Sequence, residues 1–325
     1  MIAGLSFAEI EAARAELGDR VVTTPAVPWD VPLVAEQLGA DARVVLKLEL
    51  LQRCGSFKLR GAVLNLLALD AGQRARGVTT ASAGNHAVAI AFAAQQIGVS
   101  AKLVTFGSAN PLRLELCRRY GAEVLIAETP KAAFAMATAI AETEGRLYIH
   151  PFEGGRTMLG TATVGLELSR QVEPLDAVIV PVGGGGLAGG IGAVLKAAWP
   201  DCAVYGVEPV GAPTMYRSLA AGMPQALDRI ETIADSLSAP RTMPISFAVC
   251  REVLAGVELV DDGELRAAMR IMLAQCKLAV EPAAAAAMAA LLGPLRSRLR
   301  GARVGLIVCG SNIDAASYGR LIAED

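Results

Sequence analysis

Apolar and polar positions follow two different periods along this chain, and the two periods alternate. Short runs rich in β-branched residues are followed by longer runs with apolar residues at helical spacing, most clearly between residues 44 and 180. This alternation predicts βα units, and therefore an α/β fold with parallel strands and right-handed crossovers. The predicted strands cover residues 44–50, 77–81, 101–106, 123–127, 146–150, 177–181, 204–208 and 304–309.

Helix boundaries are marked by capping residues and by glycines. Near the start of the chain, Ser6 and Glu9 form a capping-box pattern, and Gly18 predicts the end of that helix. Asn110 followed by Pro111 is typical of a cap and a first-turn proline. The helices predicted in this way include residues 85–97, those that end at Gly121 and Gly145, and a long helical stretch over 263–292.

The composition excludes several classes of protein. Of the 325 residues 53% are hydrophobic, yet no apolar run reaches the roughly 18 to 20 residues of a membrane span. The net charge of −2 comes from interspersed charges, which leaves no basic face for nucleic acid. The six cysteines are scattered without a CxxC pair, so we expect reduced and mostly buried thiols. With no pattern typical of an export signal at the start, we expect a cytoplasmic protein.

The stretch 55–62, Gly-Ser-Phe-Lys-Leu-Arg-Gly-Ala, lies between a predicted strand and a predicted helix. Ser56 is placed to cap the first turn, which puts Lys58 at the positive end of the helix dipole. An amine in that position loses its proton more readily than a solvated one, and a neutral amine can form a Schiff base with a carbonyl cofactor. The alternative for this stretch alone is an ordinary surface lysine.

A second chemical signal is the run Gly183-Gly184-Gly185-Gly186-Leu187, which follows the strand that begins at residue 177. Consecutive glycines allow several backbone N–H groups to converge on one anion beside a helix terminus, as in a phosphate cup. A rival reading exists, because Gly184, Gly186 and Gly189 also spell GxGxxG, and Glu208 ends the next strand. By itself the run therefore leaves phosphate binding, dinucleotide binding and a plain glycine turn open.

Two more polar stretches follow predicted strands. Residues 82–87, Ser-Ala-Gly-Asn-His-Ala, can offer backbone N–H groups to a carboxylate, and the Asn85 amide can donate to a phenolate oxygen. The alternative is a helix cap beside a solvated His86. Residues 309–312, Cys-Gly-Ser-Asn, end the last strand, and the Cys309 thiol is a weak and neutral hydrogen-bonding group.

Together these four stretches resemble the fold-type II pyridoxal-phosphate enzymes, and within them the serine/threonine dehydratase and serine racemase branch. The resemblance implies two three-layer open-sheet domains of the tryptophan synthase β-like type, with mostly parallel strands. It places a small domain at residues 77–150, inserted into a large cofactor-anchoring domain of residues 1–76 and 151–325. It also favours pyridoxal 5'-phosphate over NAD, since a nicotinamide enzyme has no use for Lys58.

The resemblance also implies a role for each residue. Lys58 is the catalytic Schiff-base lysine, Phe57 packs against the cofactor ring, and Asn85 contacts the ring hydroxyl. The remaining cofactor-binding residues are Gly183, Gly184, Gly185, Gly186 and Leu187 around the phosphate and Cys309 at the pyridine nitrogen, while the substrate carboxylate is bound by Ser82, Ala83, Gly84, Asn85 and His86.

Departures from the family pattern refine the expected activity. Ala83 stands where serine racemases carry the serine that acts on the second face of the substrate, which favours elimination over racemisation. Glu208 and Ala212 resemble part of a divalent-cation site, but Thr214 stands where its second carboxylate would be, and one carboxylate is thin ligation for a hard cation, so we assign no metal. Residues 157–163 and 234–236 differ from the usual substrate and interface patterns. Arg156 and Arg241 are weak candidates for an acidic substrate side chain.

We therefore expect a cytoplasmic, homodimeric ammonia-lyase that converts L-threonine or L-serine into a 2-keto acid and ammonia. The alternatives within the family are a dehydratase of another β-hydroxy amino acid, such as 3-hydroxyaspartate or a hydroxyectoine-derived compound, or a serine racemase. The alternatives from other classes are an NAD-dependent dehydrogenase and a catalytically silent protein that binds a phosphate ligand.

Overall fold

The computed structural model describes residues 6–107 and 109–324. Its strands form two sheets. All neighbouring strands are parallel except the first two along the chain, which form an antiparallel pair at one edge of the larger sheet. The fold class is therefore α/β, as the sequence pattern predicts. The strands are β1 (Ala26–Pro28), β2 (Arg43–Lys47), β3 (Val78–Ala81), β4 (Ala101–Phe106), β5 (Glu123–Ala127), β6 (Leu147–Tyr148), β7 (Ala177–Pro181), β8 (Ala203–Pro209), β9 (Gly256–Val260) and β10 (Arg303–Ile307).

Helices occupy most of the chain between these strands. Within residues 6–107 and 109–324, every helix is too short or too polar to span a lipid bilayer. The helices are α1 (Phe7–Leu17), α2 (Pro32–Leu38), α3 (Lys58–Leu67), α4 (Ala71–Arg76), α5 (Asn85–Ile97), α6 (Pro111–Arg119), α7 (Pro130–Glu144), α8 (Gly155–Gln171), α9 (Gly186–Ala198), α10 (Thr214–Ala221), α11 (Pro244–Val253), α12 (Asp262–Cys276), α13 (Pro282–Leu292) and α14 (Ala315–Ala323).

The larger sheet has six strands in the order β1-β2-β10-β7-β8-β9. Strand β7 reads Ala-Val-Ile-Val-Pro and is buried along its whole length, because helices cover both faces of the sheet. Helix α13 packs against β7 and β10, and its run of alanines allows this close approach. The carboxyl ends of the inner strands β7 and β10 therefore lie side by side.

The smaller sheet has four strands in the order β5-β4-β3-β6, all of them parallel. It is built entirely within the segment that the resemblance assigns to a small domain, residues 77–150. We retain as a proposal the division into this domain and a large domain of residues 1–76 and 151–325. The capping box of Ser6 and Glu9 and the helix over residues 85–97 are confirmed.

The clearest errors among the local predictions are three, while the strands predicted over 146–150 and 304–309 are shorter, at Leu147–Tyr148 and Arg303–Ile307. The helical stretch over 263–292 is two helices, because Lys277 adopts a left-handed conformation and Glu281 caps a new helix that begins with a proline. The strand predicted over 44–50 ends at Lys47. Ser56 does not cap α3: Phe57 is the capping residue, and the Ser56 backbone instead forms a bridge with Gly310.

Candidate active site

A cavity of about 480 Å³ opens where the carboxyl ends of strands from both sheets meet. In open α/β sheets, ligands bind at this edge of the sheet. The cavity brings together every residue that the sequence analysis assigns to cofactor or substrate, although they come from four separate stretches. Lining residues include Phe57, Lys58, Ser82, Ala83, Gly84, Asn85, His86, Gly183, Gly184, Gly185, Gly186, Leu187 and Cys309.

Lys58 is the first residue of α3 and reaches the cavity wall, where its side chain is half-buried. Its Nζ donates a hydrogen bond of 2.6 Å to the Pro151 carbonyl and lies 5.0 Å from the centre of the Phe57 ring. Protein atoms surround most of the ammonium, and this desolvation lowers the pKa of Lys58 to about 8, although the nearby Glu281 carboxyl group opposes the shift. A substantial fraction of the amine is therefore neutral and nucleophilic at mildly alkaline pH.

His150 fixes the turn that carries the Pro151 carbonyl, the hydrogen-bond acceptor of Lys58. The His150 Nδ1 accepts hydrogen bonds from the Phe152 and Glu153 N–H groups, at 3.3 and 3.0 Å. Burial lowers the pKa of His150 to about 4, so the ring stays neutral and keeps this acceptor. His150 was not among the predicted site residues, and its position at the end of a predicted strand was the signal that could have identified it.

The glycine run forms the floor of the cavity and leads into α9. Gly185 has φ +90°, a conformation that favours glycine, and no side chain caps the helix. A Cβ at Gly184 would collide with the Phe152 ring, and one at Gly186 would lie 2.6 Å from the Phe152 carbonyl oxygen. The first N–H groups of a helix have no acceptor within it, so those of α9 are free to bind an anion.

Asn85 is fixed from two sides at the start of α5. Its Nδ2 donates to Glu281 at 2.6 Å, and its Oδ1 accepts from the Asn312 Nδ2 at 2.8 Å. All three side chains are buried. The amide nitrogen has a second hydrogen, which can donate into the cavity.

Glu281, which was not among the predicted site residues, joins this site to the helix that packs on the smaller sheet. Its Oε2 accepts from the Arg113 Nη2 at 3.0 Å, and both side chains are at most 3% exposed. Arg113 also donates to Asp235 at 2.5 Å and to the Asn312 carbonyl at 2.8 Å. Burial raises the pKa of Glu281, and the Arg113 charge opposes that rise.

His86 and Cys309 are both uncharged in this setting. His86 is buried rather than solvated, and its Nε2 donates to the Ile149 carbonyl at 3.1 Å, because that oxygen only accepts. Burial and the nearby Lys58 ammonium lower the pKa of His86 to about 3. Burial raises the pKa of the Cys309 thiol well above its usual range, so it remains protonated.

The loop before α5 presents little side-chain chemistry to the cavity. The Ser82 Oγ accepts a hydrogen bond from the Gly84 N–H at 3.1 Å, and Ala83 has only a methyl group. The loop can therefore bind a carboxylate chiefly through backbone N–H groups at the start of a helix.

Several other candidates lie outside the cavity. Arg156 and Arg241 are exposed and do not line it. Thr161, within the unusual 157–163 stretch, donates to the Gly186 carbonyl at 2.7 Å and so supports the glycine loop from behind.

Glu208 binds the backbone at the start of a neighbouring helix. It is buried, and its two carboxylate oxygens accept the Met215 and Tyr216 N–H groups at 2.8 Å, at the start of α10. Thr214 donates to the Ala239 carbonyl at 2.7 Å. In the part of the chain that the structure describes, no group of three or more His, Cys, Asp or Glu residues is arranged to hold a metal ion.

These features fit pyridoxal phosphate. Gly185 is left-handed, and a Cβ at Gly184, Gly185 or Gly186 would collide with surrounding protein, so this loop needs glycine to adopt a shape in which its backbone can approach a phosphate. Lys58 offers an amine with a lowered pKa, and Cys309 a neutral partner for the ring nitrogen. The fold and these residues define a class of protein: an enzyme with two open α/β sheets whose cofactor has a carbonyl group that reacts with a lysine amine.

Comparison with known proteins agrees with this class. Residues 19–310 match the family described as pyridoxal-phosphate dependent enzyme. Phenylserine dehydratase of Ralstonia pickettii is 53% identical over 85% of this chain and 85% of its own length. L-threonine ammonia-lyase of Thermotoga maritima is 34% identical over 89% of this chain and 72% of its own length. Among solved structures, maize serine racemase superposes with a TM-score of 0.90 at 32% identity and covers 98% of both chains.

The chain belongs to the pyridoxal-phosphate dependent enzyme family, in the fold-type II group that includes threonine ammonia-lyase, serine racemase and phenylserine dehydratase. Its cofactor is pyridoxal phosphate. The cofactor prediction is thus confirmed, and the NAD alternative is set aside.

Proposed function

We propose that this protein is an ammonia-lyase that converts a β-hydroxy α-amino acid with an uncharged side chain into a 2-keto acid and ammonia. The observation that carries the proposal is the half-buried Lys58 amine, with its lowered pKa, in a cavity that also contains the glycine loop. When bound, pyridoxal phosphate links to an amine through its aldehyde and withdraws electrons from the bonds at Cα.

Lys58 then has two tasks. Its Nζ is the amine that holds the cofactor until the amino group of the substrate takes its place. Once released, the same nitrogen removes the proton from Cα, which its pKa of about 8 allows at near-neutral pH. The β-hydroxyl leaves as water, and hydrolysis of the resulting enamine and imine yields the keto acid and ammonia. The Pro151 carbonyl, 2.6 Å from Nζ, keeps the amine pointed at the cavity.

Ala83 favours elimination over racemisation. Racemisation needs a group on the second face of Cα that can return a proton, and a methyl group cannot do so. We therefore propose a dehydratase rather than a racemase.

The charges in the cavity argue against an acidic substrate side chain. Among the described lining residues, Lys58 is the basic side chain and is used for chemistry, while His86 is neutral. The lining carboxyl groups, Asp235 and Glu281, already occupy the Arg113 guanidinium, so that cation is not available to a second substrate carboxylate. This disfavours 3-hydroxyaspartate and leaves L-serine, L-threonine and phenylserine. The 53% identity to phenylserine dehydratase supports phenylserine as the first of the proposed substrates.

A keto-acid assay across a panel of β-hydroxy amino acids tests the proposal. The panel contains phenylserine, L-threonine, L-serine, 3-hydroxyaspartate and a hydroxyectoine-derived amino acid, with chiral analysis of unreacted serine. We expect equal amounts of ammonia and keto acid from the substrates with an uncharged side chain. We expect no D-serine in the unreacted serine. Accumulation of D-serine, or turnover of 3-hydroxyaspartate alone, would contradict the proposal. A cytoplasmic location and a homodimer remain further proposals.

A further inference from the structure

We infer that the cavity contains a separate aromatic compartment, formed by Phe106 and Phe134, that selects substrates with an aryl group on Cβ. The inference rests on the proposed function and specifies its substrate class. Both residues line the cavity, and both come from the smaller sheet and its helices rather than from the side that carries Lys58 and the glycine loop.

The sheet register puts Phe106 beside the loop proposed to bind the substrate carboxylate. Ala81 pairs with Val104, and the Ser82 N–H donates to the Val104 carbonyl. Phe106 is two residues further along and ends β4, next to the loop that follows Ala81. Neighbouring strands are about 4.8 Å apart, so a substrate held at this loop has Phe106 next to it.

The helical spacing of α7 puts Phe134 on the edge of the core. The buried positions of this helix are Ala133, Ala137 and Ile140, which recur at helical spacing and face the sheet. Phe134 follows Ala133 and so lies to one side of that stripe, half-buried, with part of its surface lining the cavity. One side of the Phe134 ring therefore packs against this core, and the rest of its surface faces the cavity.

The exposed parts of these rings favour an aryl ligand. Pro130 and Ile230 line the same cavity, whereas the polar groups Lys58 and Asn85 belong to the proposed chemical centre. A phenyl group removes apolar surface from water on both partners and can stack edge-to-face or offset. The methyl group of threonine covers little of this surface, and a charged side chain would lose its hydration without gaining a partner.

The test compares Phe134→Ala and Phe106→Ala with wild type in the cofactor-loaded enzyme. The matched control is Met136→Ala, which changes a 39% exposed residue of the same helix that does not line the cavity. The first readout is the ratio of kcat/KM for phenylserine to that for L-threonine. We expect each phenylalanine variant to lower this ratio by about 10- to 200-fold, and the Met136 control to leave it unchanged.

The second readout is binding without turnover. L-phenylalanine and L-alanine carry no β-hydroxyl to eliminate, so titration of the loaded enzyme gives their dissociation constants. We expect wild type to prefer L-phenylalanine and Phe134→Ala to lose most of that preference. If Phe134→Ala does not fold, Phe134→Leu keeps an apolar side chain of smaller area, and we expect an intermediate ratio.

The outcomes separate this inference from the proposed function. Unchanged ratios in both phenylalanine variants, or equal losses for both substrates, would overturn the aromatic compartment while the ammonia-lyase activity stands. Absence of turnover for every β-hydroxy amino acid would contradict the proposed function. In that case the preference for L-phenylalanine over L-alanine, and its loss in Phe134→Ala, would still decide whether the compartment exists.

Discussion

Replacement of Arg113 by Ala tests whether the two sheets are held together by a buried ion pair at the candidate site. Arg113, on α6 beside the smaller sheet, binds Glu281 at the start of α13, which packs on the larger sheet. The same guanidinium binds Asp235 and the Asn312 carbonyl. The substitution therefore removes four hydrogen bonds, counting the weaker one of 3.3 Å to Ser236, and leaves a buried carboxylate.

The magnitude follows from the burial of each partner. Removal of one member of a buried ion pair costs about 3–5 kcal/mol, because the remaining charge has lost its partner. The Asp235 side chain is 49% exposed, so that contact adds at most about 1 kcal/mol. A matched control lies on the same helix: Arg119 pairs with Glu115, and these side chains are 67% and 62% exposed. We expect Arg119→Ala to change the free energy of unfolding by less than about 0.5 kcal/mol.

The pH dependence of the loss provides a second check. Burial already raises the pKa of Glu281, and Arg113 opposes that rise. Without Arg113 the pKa of Glu281 in the folded protein moves further above its unfolded value. The folded state then binds more protons than the unfolded state between those two pKa values, so stability falls as pH rises. The deficit of Arg113→Ala relative to wild type should therefore be smallest at acid pH and grow toward neutral pH.

Urea unfolding of the cofactor-free proteins at several pH values measures both effects. We expect a large, pH-dependent loss for Arg113→Ala and a negligible one for Arg119→Ala. Because Glu281 also orients Asn85, the loaded Arg113 variant should show an altered absorbance spectrum of the bound cofactor. Equal losses for the two arginine variants, or a deficit that shrinks as pH rises, would refute the reasoning.

Three further predictions concern the cofactor site. Gly185→Ala should weaken pyridoxal-phosphate binding more than tenfold in equilibrium dialysis, because its φ of +90° disfavours a side chain and the new Cβ would lie 2.6 Å from Met215. The control is Gly98→Ala, where φ is +73° and no atom lies within 4 Å of the new Cβ. Equal effects of the two substitutions on cofactor binding would contradict a local role for Gly185. Reaction of the cofactor-free protein with pyridoxal phosphate should accelerate with pH and level off above about 8, where Lys58 has lost its proton; acceleration that continues to pH 10.5 would show an unperturbed lysine. Cys309→Ser should keep the absorbance spectrum of the cofactor and most of the activity, because a hydroxyl is also a neutral partner. Cys309→Asp should slow elimination and give a new long-wavelength absorbance band with substrate, because a carboxylate stabilises a protonated ring nitrogen. An Asp variant with wild-type behaviour would show that residue 309 lies away from the ring nitrogen.

Local signals in the sequence predicted much of the fold. The bounds of α5, β4, β5 and β7 match the expected ranges, because glycines and polar residues mark where one backbone period ends and the next begins. The break between α12 and α13 was missed because no glycine marks the end of α12. Lys277 instead adopts the left-handed conformation that glycine usually takes at a helix end. The edge strand β1 was missed because it has only three residues and ends in proline.

The candidate site was predictable where its residues occur as short motifs after strands. Glu281 and Arg113 are separated by 168 positions, and their pairing depends on how the two sheets pack. No local pattern reports such a contact, although Glu281 directly precedes a proline that begins a helix. Ser56 shows the opposite error, because a local pattern predicted a helix cap that the structure does not form. Its backbone pairs with Gly310, and its Oγ has no partner within the described residues.

The most direct test of the account is to identify the lysine that carries the cofactor. Borohydride reduction of the loaded enzyme converts the linkage between amine and cofactor into a stable bond, and mass spectrometry of the digested protein then locates the pyridoxyl group. We predict that it is found on Lys58, and that Lys58→Ala yields no pyridoxylated peptide and no turnover. A pyridoxyl group on another lysine, or a Lys58→Ala variant that keeps a borohydride-sensitive chromophore and near-normal activity, would contradict the account.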